Sequence, residues 1–505
     1  MSKVKKSSED VFNIASVFFK KNKRYLLRND LRLIGLSNDV VRHHFTNLTN
    51  LNQALVKKYP DIVFDLNASD FKRLPKKRKL VITTAVTGAE VFKPFYNSIK
   101  RYCSINNAEL VIIPSIGRTT KELIIDNRLK DDVVITSDVP LNGNLSILGV
   151  RINANAVDGV TGLPRVGQRN GSFIAASPKQ RLKYVATGPS KLPHALMTTG
   201  AITLPDYVQT LLPSKNSYIA SSDHTMGAII VELDKNNMFH FRQIQSDSEG
   251  KFIDLGKEYS KNRVRNISPE ALIPGDWHTG STCPLTKKSL IKLSDDLKIK
   301  TWIMHDMFDG LSVNHHIEHK VSTRAKIFLT LEDELKLFKR EIQDLSKNRN
   351  LIIVKSNHDD FIDRYLSEAK YVNDPFNYKI AVELANKQMN GENILESYIG
   401  KSSKVLFLDR DESYKIADIE CGNHGDKGLN GAKGSVNSAE NAYGKCVIGH
   451  FHTPEINRGV FVVGTSTFMN LGYNIGPSSW LNTACIIYPN GQRQLINFFE
   501  GKYKI

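Results

Sequence analysis

Cysteine is scarce: the 505 residues hold five, Cys103, Cys283, Cys421, Cys446 and Cys485, odd in number, widely spaced and without a C-x-x-C pair. That excludes a disulfide framework and a zinc knuckle and fits a reducing cytoplasm. Long apolar runs are missing too, since no stretch approaches the roughly 18 residues of a spanning helix. The lysine-bearing start lacks an apolar core followed by small residues. The expectation is a cytoplasmic protein with no membrane partner. There is no internal repeat and no long low-complexity tract, and the length calls for about two to four compact units rather than one core.

What is abundant is positive charge. The chain carries a formal +17, and residues 1–80 hold 18 Lys and Arg against 7 Asp and Glu, leaving +11 of that total at one end. A polyanionic partner is the first expectation, with the N-terminal region as its footprint.

That region reads as a small basic helical domain, residues 1–79. "SEDVFNIASVFFKK" places Val11, Ile14, Ala15 and Phe18 on one helical face behind a Ser8 or Asp10 cap. After Gly35, Ser37 caps a further helix anchored by Val40, Val41 and Phe45. Helix, glycine turn and helix follow in the order of a helix-turn-helix, which would set Asn38, Arg42, His43 and Asn47 along a recognition helix, with Arg42 as a DNA contact. The bland alternative is a helical domain with a solvated basic face. "FKRLPKKRK", Phe71 to Lys79, is a basic linker that marks the boundary.

Residues 80–265 read as a middle α/β domain. "LVITTAV" and "AELVIIPSI" are strand patterns flanking the helical "VFKPFYNSIKRYC", and further strands follow in "DVVITSD", "ILGVRINA", "GAIIVEL" and "MFHFRQIQ". No catalytic constellation stands out there. "VTGAEV" lacks the further glycines of a dinucleotide loop.

In residues 266–505 several apolar runs end in metal-binding residue types. "ALIP" leads to Asp276 and His278, "TWIM" to His305, Asp306 and Asp309, and "LIIVKS" to Asn357, His358 and Asp359; His424 follows "ADIECGN", and His450 and His452 follow "CVIG". Ligands gather at the carboxyl ends of strands in open α/β sheets, so these residues are expected to converge on one rim.

The ordered set, Asp-x-His, Asp-x-x-Asp, Asn-His-Asp, His in a glycine loop and Gly-His-x-His, resembles the calcineurin-like metallophosphoesterases over this C-terminal half. The resemblance implies a β-sandwich flanked by helices within an α/β multidomain chain. It assigns Asp276, His278 and His452 to one divalent ion, Asn357, His424 and His450 to a second, and Asp306 to both. Mixed carboxylate, amide and imidazole ligands favour Mn2+, with Mg2+, Fe and Zn2+ as alternatives. It also implies attack on a phosphodiester by a metal-bridging hydroxide, with His358 protonating the leaving oxygen and Asp359 orienting His358. Two glycines usual in the family are replaced here, by His305 before Asp306 and by Ser356 before Asn357.

Three further stretches bear on substrate. "LSVNHHIEHK", with His315, His316 and His319, reads as a solvated loop beside the site, with contact to a substrate phosphate or a further ion as the alternative, and is followed by the amphipathic helix "LEDELKLFKREIQDL". "GNHGDKGLNGAKGS" lacks the Gly-Lys-Ser/Thr ending of a Walker loop, yet its glycines, Lys427 and Lys433 suit contact with a phosphodiester. His305 on the rim is a further candidate contact.

The leading expectation is therefore a di-metal nuclease, a DNase, with DNA as substrate and partner. The Asn- and Lys-rich composition suits a phage-encoded DNA-degrading enzyme acting in the host cytoplasm. The alternatives are a phosphatase or small-molecule phosphodiesterase, and a DNA-binding regulatory protein on a phosphoesterase scaffold. A homo-oligomer is left open.

Overall fold

The computed structural model describes every residue except 1–5, 23–24, 27, 66–73, 118–123, 190, 208–213, 316–329 and 505. The chain divides into two compact units, one of residues 1–181 and 195–265 and one of 182–194 and 266–505, each mixing helices with sheet. Among the described residues no helix is long and apolar enough to cross a membrane.

The first unit opens with four helices: α1 (Ser8–Asn22), α2 (Arg28–Leu33), α3 (Asn38–Phe45) and α4 (Leu48–Lys58). Ser7, not Ser8 or Asp10, caps α1, its hydroxyl accepting from Asp10 N at 3.1 Å while the Asp10 carboxylate accepts from Ser7 N at 2.9 Å. Val11, Ala15 and Phe19 turn inward with Val41, Leu51 and Leu55, and Ile124 from beyond the linker joins the same core. Burying each large apolar side chain is worth about 1.5–3 kcal/mol, so these short helices depend on that shared core more than on propensity.

Ser37 caps α3 as its sequence suggests, accepting from Val40 N. Asn47 departs from expectation: it is not on α3 but is the N-cap of α4, accepting from Asn50 N at 2.8 Å. Thr46, with φ 65°, breaks the helix between them, and a short polar side chain held against an orphan amide cannot also read bases. Arg42 is exposed on α3.

A five-stranded sheet follows in the order β5-β4-β1-β2-β3, where β1 is Lys79–Val86, β2 Glu109–Ser115, β3 Val133–Val134, β4 Gly227–Leu233 and β5 Phe239–Gln245. β1, β2 and β3 run parallel, and β4 runs antiparallel to β1 and β5. The helix between β1 and β2, α5 (Lys93–Ile105), packs Phe95, Ile99 and Tyr102 into the core of this sheet. Lys76 and Lys77 of the basic linker donate their amides to Glu109, at 2.7 and 3.1 Å, which fixes the approach to β1. Phe71 lies outside the described residues.

In the second unit a six-stranded sheet has the order β9-β8-β7-β6-β12-β13. Here β6 is Ala271–Pro274, β7 Thr301–Met304, β8 Asn350–Val354, β9 Val405–Leu408, β12 Thr483–Ile487 and β13 Arg493–Asn497. β6 to β9 are parallel, so the residues following β6, β7 and β8 emerge on one edge. β12 and β13 pair antiparallel as a hairpin whose turn holds Pro489, Asn490 and Gly491. A second group of strands includes β10 (Cys446–Ile448), parallel to both Ile419–Glu420 and β11 (Val460–Val462). α6 (Leu331–Ser346) starts at Thr330, which accepts from Asp333 N, and buries Leu331, Leu335, Phe338 and Ile342.

Candidate metal centre

Asp276 and His278 leave the end of β6, Asp306 leaves β7, and Asn357 and His358 leave β8, because strand direction puts every one of these carboxyl ends on one rim. His450 and His452 follow β10, and His424 follows the strand parallel to it. The fold thus gathers residues spread from position 276 to position 452.

Asp276, His278, Asp306 and His452 are all buried and offer ligand atoms within 4.8 Å of one another. His452 Nε2 is 3.1 Å from Asp276 Oδ2 and 3.1 Å from His278 Nε2, while His278 Nε2 is 3.5 Å from Asp306 Oδ2. His424 Nε2 lies 3.2 Å from the same Asp306 Oδ2. His450 Nδ1 is 3.0 Å from Asn357 Oδ1, and the His424 and His450 rings are 5.3 Å apart. Contacts thus link all seven expected residues, with Asp306 touching both His278 and His424.

These side chains fit a cation. Asp276 Oδ1, Asp306 Oδ1, His424 Nδ1 and His452 Nδ1 are buried without a hydrogen-bond partner, a costly arrangement for polar atoms unless something charged completes it. Electrostatics point the same way. Burial opposes charge on His278, yet its hydrogen bond to Asp309 and the nearby Asp306 outweigh burial and raise it to about 9. Burial likewise opposes charge on His424, and Asp306 raises it to about 9. Without a metal ion the carboxylates recruit protons as counterions. This group can hold metal.

Four of the ligand candidates also carry backbone strain. His278 (φ 49°), Asp306 (φ 44°), His450 (φ 73°) and His452 (φ 55°) all occupy the left-handed region, at a cost of about 1–3 kcal/mol each that the surrounding structure must offset. His278 N donates to the Asp306 carbonyl at 2.7 Å and Asp276 N to the Gly464 carbonyl at 3.1 Å, which pins these turns. Gly449 is required by space: a Cβ there would collide with Asp276 Oδ1.

Two expectations about this rim are corrected. Asp359 does not orient His358; its carboxylate accepts from Ser356 N at 2.8 Å at the start of α7 (Asp359–Ser367), and burial pushes it up to about 7. Asp309 does the orienting, for its carbonyl accepts from His358 Nδ1 at 2.6 Å and its carboxylate from His278 Nδ1 at 3.1 Å and Ser281 Oγ at 2.9 Å. A ligand histidine braced by a carboxylate through its second nitrogen is a recurrent device of metal sites. Nor is His305 available to a polymer: it is fully buried, stacked 5.6 Å from His424, and burial lowers it to about 4.

Lys427 is exposed and lines the same cleft as His424, together with Lys355 and Arg410. Lys433 is exposed and bridges back to Lys427 across the glycine loop. Arg410 ties Asp360 to Asp426, at 2.6 Å to each, and so fixes the loop after His424 to α7. No motif in the sequence singles it out. Glu334 is equally silent in sequence: buried on α6, it accepts from Leu311 N at 2.9 Å and Ser312 N at 3.0 Å, holding the turn that follows Asp309. A lone Glu in an amphipathic helix carries no such signal. His315 stands edge-on to Phe361 at 5.3 Å, whereas His316 and His319 lie outside the described residues.

No family model matches the chain, and no solved structure matches it. It is similar to a phage protein. Protein A1 of Escherichia phage T5 is 28% identical over 486 residues, an alignment that covers 84% of this chain and 83% of that protein.

Proposed function

We propose that residues 266–505 are a metallophosphoesterase domain, a β-sandwich flanked by helices, and that the chain is a metal-dependent phosphodiesterase whose substrate is DNA. The observation that carries this reading is the convergence of Asp276, His278, His452, Asn357, His424 and His450 around Asp306, in the motif order of the calcineurin-like enzymes. Two divalent ions bound there, with Mn2+ favoured by the ligand types, would neutralise phosphoryl charge and lower the pKa of a nucleophilic water.

The chain's own groups divide the remaining work. His358 holds its Nδ1 proton on the Asp309 carbonyl, which leaves Nε2 to exchange a proton with the leaving oxygen. Asp309 is a positioning residue for both His358 and His278. Lys427 lends positive charge to the cleft beside His424, while Arg410 is held between Asp360 and Asp426.

DNA is preferred over a small phosphomonoester because +11 of the net charge falls within residues 1–80, where phosphate neutralisation would dominate affinity for a polymer. The exposed Arg42, and a helix-turn-helix role for α2 and α3, belong to this reading. Similarity to a phage protein supports action in a bacterial host's cytoplasm. Plasmid DNA, a bis-aryl phosphate and a mono-aryl phosphate, each with Mn2+, test the reading. Cleavage of the diesters is expected, and turnover confined to the monoester would overturn it.

A further inference from the structure

The segment between β11 and β12 places apolar surface where a buried core has no use for it. Tyr473 is 61% exposed and Ile475 85% exposed. Trp480, half-buried, stands edge-on to the ligand candidate His452 with ring centroids 4.2 Å apart, and Tyr473 meets Trp480 at 5.9 Å. An aromatic path thus runs from the metal centre to solvent.

The segment has a defined shape. Asn474 Oδ1 accepts from Leu471 N and its Nδ2 donates to the Met469 carbonyl, both at 2.9 Å. Ser478 and Thr187 exchange backbone hydrogen bonds at 2.9 and 3.1 Å.

Resting on the phosphodiesterase reading above, we propose that Tyr473, braced edge-on by Trp480, forms a stacking platform for the nucleobase next to the scissile phosphate. Aromatic faces bind any base, because every base presents a π-face, while basic residues track the backbone. A base inside a duplex has both faces covered by its neighbours, so the platform selects single-stranded or frayed DNA. Phe468 and Ile475 of the same segment are also apolar and exposed.

The test uses the full chain with Mn2+ and a single-stranded oligonucleotide with one cleavable phosphodiester. Its flanking nucleotides are either thymidines or abasic residues. Wild type is expected to lose about tenfold in kcat/KM on the abasic substrate, the order of one stacked base. Tyr473→Ala is expected to lose about as much on the thymidine substrate and little more on the abasic one. Tyr473→Phe keeps the ring and is expected to retain wild-type discrimination. Tyr473 is no ligand, so Mn2+ affinity measured by calorimetry should be unchanged in both variants, which controls for misfolding. Wild-type cleavage of both substrates with equal efficiency, or equal loss by Tyr473→Ala on both, would overturn the platform alone. No cleavage of either by wild type would overturn the phosphodiesterase reading and the platform together.

Discussion

His358 Nδ1 lies 2.6 Å from the backbone carbonyl of Asp309, and since a carbonyl only accepts, the proton of that bond belongs to Nδ1. The neighbouring Asp359 faces away, onto Ser356 N. A substitution at Asp309 keeps that carbonyl and changes the carboxylate that accepts from His278 Nδ1 at 3.1 Å, so Asp309→Asn is expected to weaken Mn2+ binding through His278 and thereby to lower activity on a small phosphodiester by about 10–100-fold. Asp359 is raised to about 7 by burial, so an amide of the same shape replaces its neutral form at little cost. Asp359→Asn should leave activity within about a factor of three. Steady-state kinetics showing the reverse order would make Asp359, not the Asp309 carboxylate, the side chain that supports the site.

Gly449 supplies a second prediction. A methyl group there would collide with Asp276 Oδ1 and press on His305 Cβ at 3.0 Å. The movable atom is the end of the Asp276 side chain, so Gly449→Ala is expected to displace a ligand rather than unfold the domain. Loss of activity of about 100-fold or more, with the metal-free thermal midpoint nearly unchanged, is the expected pair of results. A normal activity would mean that Asp276 is not needed where it stands.

Protonation gives a third. His278 and His424, raised to about 9, carry protons at neutral pH that a metal ion must displace. Because both values are raised, the competing protonated forms persist until about pH 9. Mn2+ affinity for metal-free protein is expected to climb between pH 7 and 9, by up to about tenfold per unit for each proton displaced, and to level off above. Calorimetry in buffers of different ionisation enthalpy would count the protons released. A pH-independent affinity with no release would contradict the assignment.

A fourth concerns the basic helices. Arg32, Arg42 and Lys57 are exposed. If they neutralise phosphates, replacing them with alanine should reduce the slope of log affinity against log salt by about 0.9 for each phosphate left without its cation. DNA-binding titrations over a range of salt would read this directly. An unchanged slope would make them a solvated face.

Much of the site was legible because its ligands directly follow short apolar strands, and parallel strands deliver such residues to one edge. The departures have physical causes. His305 and Asp306 both lie in the bend after β7 and both are buried, and nothing in the sequence shows that the His305 ring stacks on His424 beneath the rim. Choosing between Asp309 and Asp359 was not legible either, since both lie near His358 in sequence or motif, and only the turn into α7 shows Asp359 bending back to Ser356. Asn47 belongs one helix later than the recognition-helix pattern places it, and an Asn before "LTNLNQAL" is itself an N-cap signal. Tyr473 and Trp480 fall in a loop with no periodicity, and nothing in sequence ties them to His452.

The decisive measurement is DNA cleavage by metal-depleted protein reconstituted with Mn2+, run beside Asp306→Asn. Wild type should break phosphodiester bonds only when the ion is restored, and the variant, lacking the carboxylate shared by both ligand groups, should not. Absence of cleavage by reconstituted wild type, or equal cleavage by the variant, would contradict a phosphodiesterase centred on Asp306.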